Sequence, residues 1–486
     1  MAIPTFPEVS TYRHSSNDTS KRWTVENPAT GKVLTTIQGG DSTTVDAARA
    51  TYLLRCANEI EKHVDELATL LCLENGKPAQ DAKMFDCGFL VGAFRYFGGL
   101  VGKLPSQFYD RGSVYTTVMH EPYGVCAGIL PFNWPPIHTG GKLAPALAAG
   151  NTFILKPGEQ APLTVIRIVE ILEKVLPKDV VQVVPGGLSP EVPQALIKHP
   201  MVKRVSFTGS TAAGAAVARA ASDTVTSVAL ELGGKNALTI FDDADFDIAV
   251  RTALEGAFFN KGEACTASSR LLVQRGIYDR FVEKLAAGVR QIKMGNGLDP
   301  TTHVGPQVSK AAKLRLLDYI ALGEKEGARI AAQAPMPSDP ECKDGFFIPA
   351  TLFADVREDM QIAREEMFGA IVTVTPFDTF EDAVRIVNSV DYGLTSLVFT
   401  KDQLKANRFV RAVEAGMVWV NNYNRNVLGT PFGGVKLSGY GREHCIETLY
   451  EWTQPKAVHV ASGIGEVREW RGVTDIFGVN GSEIVP

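Results

Sequence analysis

Apolar and polar positions follow two different periods along the chain, and the period changes near Tyr123. Before that point, residues 45–56 and 59–74 place apolar side chains at helical spacing, and Gly76 followed by Pro78 ends the second helix. After it, short apolar runs alternate with amphipathic stretches. Such alternation predicts strand–helix units on a parallel sheet.

The first group of these units ends near residue 230. Its predicted strands are 125–130, 152–155, 180–184, 205–208 and 227–230, and its predicted helices are 142–149, 163–175, 192–198 and 212–221. A second α/β region runs from about 233 to 434, with helices predicted at 246–259 and 279–292. Doubly wound sheets bind ligands beyond the carboxyl ends of their strands, so we expect the site in the loops that follow these strands.

Two further strands are predicted outside this alternation, at 111–121 and 453–460. Outlying strands of this kind often pair with another subunit. The tail 461–486 contains Trp470 and Phe477, so we expect part of it to be ordered. It can pack on a neighbouring subunit or across a substrate entrance, and the sequence leaves both possibilities open.

Composition narrows the class of protein. A chain of 486 residues is too long for one hydrophobic core, so two or three domains are expected. The net charge of −5, with no basic stripe, argues against a nucleic-acid partner. No signal-peptide core or membrane-length apolar run is present, so we expect a soluble, cytoplasmic protein without a membrane partner; an organellar location stays open.

Neither the cysteines nor the acidic residues form a metal-binding pattern. The seven cysteines are scattered without a C-x-x-C pair, which predicts neither a zinc site nor a disulfide framework. Asp242, Asp243, Asp245 and Asp247 are better explained as the start of the next helix, where carboxylates complement the helix dipole. We therefore expect no metal.

One cysteine lies in a loop suited to catalysis. Segment 260–267 connects one helical pattern to the next, and Gly262 permits a tight turn that presents Cys265. A thiolate attacks carbonyl carbons well, and a helix N-terminus would lower its pKa. The structural alternative is a small buried thiol, which is the commoner role of cysteine.

Two polar residues elsewhere could serve the same chemistry. Glu231 precedes the glycine pair 233–234 after a predicted strand, where it can act as a general base or as an ordinary cap or ion-pair carboxylate. Asn133 stands between Pro131 and Pro135. Its fixed amide can donate to a developing oxyanion, or it can simply stabilise its own turn.

Along the chain the three motifs follow the order Asn133, Glu231, Cys265. Together they resemble the aldehyde dehydrogenase superfamily over roughly residues 23–460. Four further segments are similar to family motifs: 156–159 to the adenosine-ribose motif, 207–211 to the pyrophosphate loop, 365–369 to the nicotinamide-ribose motif and 431–439 to the late signature. Each motif alone is weak, but the set in family order is specific.

The resemblance implies NAD as cofactor, with NADP possible. Ser210 would begin a helix whose N-terminal amides attract phosphate, and Gly209 and Gly214 allow close approach. Lys156 would donate to the ribose and Glu159 would accept from it, and this acid favours NAD because a 2′-phosphate would meet a like charge. The remaining residues that the resemblance assigns to the cofactor are Pro131, Phe132, Leu232, Glu366 and Phe368.

The resemblance also implies a covalent mechanism. Cys265 attacks the aldehyde, and the Asn133 side chain and the Cys265 N–H hold the oxyanion. Hydride transfer leaves a thioester, which Glu231 hydrolyses by activating a water. Lys142 matches a lysine common in the family and is expected to tune the site electrostatically.

The implied fold is α/β, with two Rossmann-like doubly wound parallel-sheet domains plus a small bridging strand element. Residues 1–103 and 123–233 would form the NAD-binding domain, 234–434 the catalytic domain, 104–122 and 449–460 the oligomerisation strands, and 461–486 the C-terminal tail. A homodimer or homotetramer is expected, with strand 453–460 added to a partner's sheet.

The substrate pocket departs most from the family. Its expected residues are Trp134, His138, Gly141, Ala264, Thr266, Asn424, Arg425, Asn426 and Phe432. His138 and Gly141 replace bulkier side chains of many relatives, which leaves room for a bulky or hydroxylated aromatic aldehyde. Alternatively, Arg425 clamps a carboxylated semialdehyde such as succinic semialdehyde, or is a surface arginine.

Glu263 is a second departure, because the family usually has a neutral residue there; facing inward, it would disfavour the thiolate, and facing solvent it would not.

Two other functions compete with aldehyde oxidation to an acid. Acyl transfer to coenzyme A is performed by relatives that usually lack the Glu231 base. A non-catalytic cofactor-binding protein would be expected to lose Cys265, Asn133 or Glu231.

Overall fold

The computed structural model describes residues 22–26, 33–38, 42–186, 190–424, 427–465 and 467–477. The elements of the N-terminal half are, in chain order, β1 (Arg22–Glu26), β2 (Val33–Gln38), α1 (Ser42–Glu61), α2 (Val64–Asn75), α3 (Ala79–Asp81), α4 (Gly88–Leu100), β3 (Gln107–Asp110), β4 (Val114–Pro122), β5 (Val125–Ile129), α5 (Pro135–Ala148), β6 (Thr152–Lys156), α6 (Leu163–Glu173), β7 (Val181–Val183), α7 (Glu191–Lys198), β8 (Val202–Thr208), α8 (Thr211–Ser222) and β9 (Ser227–Glu231).

The remaining elements belong to the second α/β region and the C-terminal part. They are β10 (Ala237–Ile240), α9 (Phe246–Phe258), β11 (Arg270–Gln274), α10 (Tyr278–Val289), α11 (Lys310–Lys325), β12 (Arg329–Gln333), β13 (Thr351–Ala354), α12 (Gln361–Arg364), β14 (Ile371–Phe377), α13 (Phe380–Asn388), β15 (Tyr392–Gly393), β16 (Thr395–Phe399), α14 (Gln403–Ala412), β17 (Met417–Val420), β18 (Val435–Lys436), β19 (Gly439–Tyr440), α15 (Ile446–Glu451), β20 (Thr453–Ala461) and α16 (Arg471–Phe477).

Two parallel sheets organise the molecule. The first has the order β19-β9-β8-β5-β6-β7, and all its pairs are parallel except β19 with β9. The second has the order β12-β13-β14-β11-β10-β16-β17, with β12 as its one antiparallel strand. Two doubly wound α/β sheets were expected, and this fold class is confirmed.

The two outlying strands lie side by side in a third sheet. Strand β20 pairs antiparallel with β4 from Thr453 opposite Pro122 to Ala461 opposite Val114, and β3 pairs with the other side of β4. Within the chain, therefore, strand 453–460 finds its partner in the other predicted outlying strand. Beyond it, part of the tail forms α16, although Trp470 remains exposed.

Three boundaries differ from expectation. Helix α5 begins at Pro135 rather than at 142, because prolines fit the first helical positions, whose N–H groups have no partner in the helix. The break between α1 and α2 falls near residue 63 rather than near 57. The cysteine loop leads into strand β11 and not into a helix.

Close packing of α4 on α5 fixes the helix that carries much of the candidate site. A Cβ on Gly140 would lie 3.2 Å from both Ala93 Cβ and Leu90 Cα, so a larger residue here would require the two helices to shift apart. Leu90, Phe94 and Phe97 of α4 are fully buried there, and each buried side chain of this size contributes about 1.5–3 kcal/mol.

None of the helices in the described ranges is long and apolar enough to cross a membrane.

The acidic cluster after β10 has structural contacts: Asp245 caps α9 by accepting from the Ile248 N–H, and Asp243 accepts from the Thr400 hydroxyl. Among the described residues, no group of three or more potential ligand side chains could hold a metal ion.

Candidate active site

Cys265 lies in a loop whose backbone is fixed from behind. The Asn236 side-chain amide donates to the carbonyls of Cys265, at 2.7 Å, and Ala267, at 2.9 Å. A Cβ on Gly234 would lie 2.7 Å from the Cys265 carbonyl oxygen, so the second glycine of the pair lets the two loops touch. The nucleophile is therefore held by its main chain, and its side chain is only partly buried.

The electrostatics of this thiol differ from expectation. Burial, and then the negative charges of Glu231 and Glu366, raise the pKa of Cys265, while its own N–H and that of Thr266 oppose the shift. A helix N-terminus was expected to lower this pKa, but that expectation was wrong because no helix begins at the loop. The surroundings of the thiol therefore disfavour the thiolate.

Asn133 contacts the cysteine loop directly. Its side-chain amide donates to the carbonyl of Glu263 at 3.1 Å, and its own carbonyl accepts from Lys77 and from Asn260, each at 3.2 Å. An amide nitrogen carries two N–H groups, so one remains for a further acceptor. The loop that precedes α5 thus holds an oriented donor next to the segment that bears Cys265.

Two buried lysines, which the sequence analysis did not single out, tie these loops to the end of α2. Lys77 donates to both carboxylate oxygens of Asp86, at 2.9 and 2.8 Å, and its ammonium lies 3.4 Å from the centre of the Trp134 ring. Burial lowers the pKa of Lys77 to about 8. Lys261 donates to the carbonyl and the side-chain oxygen of Asn75, at 2.7 and 2.8 Å.

The same network decides the orientation of Glu263. Its side chain is fully buried, with Oε2 2.9 Å from the Lys261 ammonium and Oε1 accepting from the Val308 N–H at 3.0 Å. The acid therefore faces inward, but an adjacent cation and a main-chain donor compensate its charge. Lys261 and Glu263 thus form an ion pair, and neither residue by itself indicates this contact in the sequence.

Glu231 is the last residue of β9 and is 4% exposed. Neither of its carboxylate oxygens has a hydrogen-bond partner among the described residues. Burial, and then the negative charge of Glu443, raise its pKa well above the usual value, while Lys142 opposes the shift. A carboxyl group in this state takes up a proton readily, as a general base near neutral pH must.

Lys142, which the sequence indicated, forms a buried ion pair with Glu443, which it did not. Its ammonium donates to the Ser206 hydroxyl at 2.9 Å and contacts a carboxylate oxygen of Glu443. Lys142 and His444 hold the pKa of Glu443 below its usual range despite burial. Glu443 closely follows the late signature in the chain. Phe432, which lies within that signature, forms an antiparallel β-bridge with Glu443.

Most of the residues expected to bind NAD lie at or just after the carboxyl ends of strands of the first sheet. Ser210 caps α8 by accepting from the Ala213 N–H, which leaves the helix N-terminus able to attract phosphate. A Cβ on Gly214 would lie 2.4 Å from the Leu232 side chain, so this helix packs closely on the turn after Glu231. Lys156, at the end of β6, forms an ion pair with Glu159 in the loop that follows.

The residues expected at the nicotinamide end also contact their surroundings. Glu366 accepts from the Gly234 N–H at 2.9 Å, and burial raises its pKa to about 7. The rings of Phe132 and Phe368 meet edge to face at 5.9 Å. A Cβ on Gly158 would lie 2.9 Å from atoms of both Pro131 and Phe132, so the ribose motif rests against the Asn133 loop. These contacts fit a bound dinucleotide.

The expected pocket residues fall into two groups. Trp134 and Ala264 pack together with Ala267 and Phe259 beside the nucleophile, where Thr266 is also buried. Gly141 and Phe432 instead adjoin His444, and His138 is buried on the same helix. Asn424 is half-buried, whereas Arg425 and Asn426 lie outside the described residues.

This geometry agrees with comparisons to known proteins. Residues 14–458 match the model of the aldehyde dehydrogenase family. The aldehyde dehydrogenase citD of Monascus ruber is 55% identical, with 98% of each chain covered, and an aldehyde dehydrogenase of Didymella fabae is 55% identical, covering 96% of this chain and 97% of its own. A betaine aldehyde dehydrogenase from Staphylococcus aureus, solved with NAD+, is 34% identical with a TM-score of 0.84, covering 93% of this chain and 94% of its own.

The chain therefore belongs to the aldehyde dehydrogenase family, and the resemblance inferred from its motifs is confirmed. It is an NAD-dependent oxidoreductase that acts on an aldehyde, as the relatives and the NAD complexes of its structural neighbours together show.

Proposed function

We propose that this enzyme oxidises a bulky, hydroxylated aromatic aldehyde to the carboxylic acid through a thioester on Cys265. The proposed chemistry rests on two observations. The Asn133 amide donates to the cysteine loop, and the Glu231 carboxyl at the end of β9 has no hydrogen-bond partner among the described residues. These are a donor, a nucleophile and a base.

In the first half-reaction the Cys265 sulfur, as thiolate, forms a bond to the aldehyde carbon. The carbonyl π electrons move to the oxygen, and the alkoxide accepts hydrogen bonds from the Asn133 side chain and the Cys265 N–H. NAD+, when bound, accepts the hydride from this tetrahedral carbon. The carbonyl re-forms as a thioester, and Glu366 and Phe368 would hold the nicotinamide end.

In the second half-reaction Glu231 removes a proton from a water molecule as its oxygen adds to the thioester carbon. The carbon–sulfur bond then breaks, the carboxylic acid leaves and the Cys265 thiolate is restored. Lys142 and Glu443 act electrostatically on this step: the lysine favours ionised Glu231, and Glu443 favours its protonated form. The ion pair thereby sets the pH at which the base works.

The substrate proposal is supported by the polarity next to α5, where His138 offers buried polar atoms. The space that the missing side chain of Gly141 leaves is filled by the His444 ring. The opposing candidate, a semialdehyde clamped by Arg425, has no contact among the described residues to support it, because Arg425 lies outside them.

The test measures NADH formation with NAD and a panel of aldehydes, for the native enzyme and a Cys265→Ala variant. The panel contains benzaldehyde, hydroxybenzaldehydes, succinic semialdehyde, betaine aldehyde and short alkyl aldehydes. We expect hydroxybenzaldehydes to be preferred and all turnover to vanish in the variant. Preferred oxidation of succinic semialdehyde would overturn the substrate class.

The nature of the acyl acceptor is tested in the same assay. Because Glu231 is present and buried, we expect water to be the acceptor and the rate to be unaffected by added coenzyme A. An acyl-coenzyme A product, identified by mass, would contradict the hydrolytic mechanism.

We also propose that the enzyme is a homodimer or homotetramer. The three-stranded sheet exposes the outer edges of β20 and β3, and Phe108 and Met119 are exposed on it. An unpaired strand edge with exposed apolar side chains is a ready surface for a second copy. Light scattering tests this, and a monomeric mass would overturn it.

A further inference from the structure

Two buried histidines near the base make fewer contacts than buried polar groups usually do. His138 and His444 are each 6% exposed. Neither ring nitrogen of His138, and not Nε2 of His444, has a hydrogen-bond partner in the described part of the chain. Leaving a buried donor or acceptor without a partner costs about 1–3 kcal/mol. Such groups in a native site call for a ligand or a functional reason.

Both rings are neutral at physiological pH. Burial lowers the pKa of His138 to about 3 and that of His444 to about 4. The nearest carboxylate oxygen to His444 Nε2 is that of Glu443, at 3.9 Å, which is beyond hydrogen-bond distance. A neutral imidazole has one N–H donor and one nitrogen acceptor.

The two histidines lie on either side of the missing side chain at Gly141. His138 is in the first turn of α5, and Gly141 follows one turn later on the same face. A Cβ on Gly141 would lie 2.8 Å from His444 Nε2. The glycine therefore lets the imidazole approach α5, and a larger residue would displace it.

This pair also adjoins the proposed chemistry. The Phe432 ring centre is 4.9 Å from that of His444, and the next residue, Gly433, would place a Cβ 2.8 Å from a carboxylate oxygen of Glu231. His138 belongs to the same helix as Lys142 and follows Asn133 closely. Phe432 and Gly433 thus connect His444 to Glu231, and α5 connects His138 to Lys142.

We propose that His138 and His444 determine substrate specificity by hydrogen bonding to uncharged polar substituents of the aldehyde, such as phenolic hydroxyl groups. A hydroxyl group both donates and accepts, which matches two neutral imidazoles. A carboxylate does not suit the place, because it would add negative charge beside Glu443, whose own charge is already paired with Lys142. The proposal rests on the proposed aldehyde oxidation and adds the feature of the substrate that the enzyme recognises.

The test compares dihydroxybenzaldehydes with dimethylbenzaldehydes of the same substitution pattern, because a hydroxyl and a methyl group have similar sizes. Sites built to hydrogen-bond a hydroxyl strongly reject analogues that lack it. We expect the native enzyme to prefer the hydroxylated member of at least one pair by roughly tenfold or more in kcat/KM. His138→Phe and His444→Leu should each reduce this ratio, because the hydroxylated member of a pair loses a hydrogen bond that the dimethyl member never makes.

A matched control is available on the same helix. Thr139→Val removes a buried hydroxyl whose partner is the Pro135 carbonyl, at 2.8 Å, so it disturbs α5 without touching the histidine pair. We expect it to leave the ratio unchanged. His138→Gln, which keeps a donor and an acceptor, should retain more of the preference than His138→Phe. Ratios unchanged in both histidine variants, or a native enzyme that favours the dimethyl compounds, would overturn the proposal.

Binding to the Cys265→Ala variant separates recognition from chemistry. Calorimetric titration with the same aldehyde pairs should again show tighter binding of the hydroxylated members, and the His138→Phe substitution should remove the difference. If this binding preference is found but the native enzyme oxidises neither aldehyde, the oxidation proposal fails and the recognition role stands. Equal binding of both members would sink the recognition role.

Discussion

The two sides of the reaction chamber differ in how their buried polar groups are satisfied. On the nucleophile side, formed by the Asn133 and Cys265 loops and the end of α2, the side chains of several residues each make at least one hydrogen bond: Asn133, Lys77, Lys261 and Asn236. On the base side, neither Glu231 nor His138 makes any with the described residues.

This difference separates two tasks of an active site. A hydrogen-bonded network holds a donor and a nucleophile in one geometry, so that little reorganisation is needed when charge develops. Groups that meet a proton, a water molecule or variable parts of a substrate must keep bonding capacity in reserve. The nucleophile side is therefore expected to control the rate of the first turnover. The base side is expected to control steady-state turnover, pH dependence and choice of substrate.

Glu231→Gln should have the largest effect, because it removes the base but leaves the nucleophile side intact. Loss of a general base reduces the rate by about 10²–10⁴-fold. We expect steady-state NADH formation to fall by this amount, while a first turnover of about one equivalent per site persists in stopped-flow measurements as the thioester accumulates. A steady-state loss below tenfold would place the base elsewhere.

Asn133→Ala should show the opposite kinetic pattern. Removal of one oxyanion donor costs about 10²–10³-fold in kcat. Because the oxyanion forms before the thioester, the first turnover itself should slow, and the burst seen with Glu231→Gln should be lost. A burst that remains at the native rate in Asn133→Ala would mean that the Cys265 main chain suffices.

The strand ends and the three catalytic candidates could be predicted because each depends on local sequence. Glu231 is the last residue of a mostly buried strand, Asn133 lies in the loop after another, and Gly76 ends α2 with a left-handed φ of +86°. The start of α5 was misplaced because its first two turns contain prolines and glycines, which interrupt the helical pattern of apolar residues.

Most of the contacts that distinguish the two sides could not be predicted. Lys77 with Asp86, Lys142 with Glu443 and His444 against Gly141 are brought together only by tertiary packing. A charged residue in a sequence normally indicates exposure, so a buried lysine leaves no signal of its own. Glu263 was ambiguous for the same reason until Lys261 was seen beside it.

Lys77→Met tests the stability of the nucleophile side. It leaves the Asp86 carboxylate buried without its cation, which costs about 3–5 kcal/mol in the free energy of unfolding. The double variant Lys77→Met/Asp86→Leu removes both charges and should recover most of that loss in urea unfolding. It should still show reduced kcat, because Asn133 and Trp134 lose the contacts of the lysine. Full activity in the double variant would show that the network contributes stability alone.

The pH profile of kcat should show the smallest and most specific effect, a shift in opposite directions for the two members of the Lys142–Glu443 pair. Glu231 acts as a base when ionised, so activity is lost as the pH falls through its raised pKa. Glu443→Gln removes the negative charge that raises this pKa and should move the ascending limb to lower pH. Lys142→Met removes a positive charge that lowers it and should move the limb to higher pH. Shifts in the same direction would show that the limb reports another group, such as the Cys265 thiol.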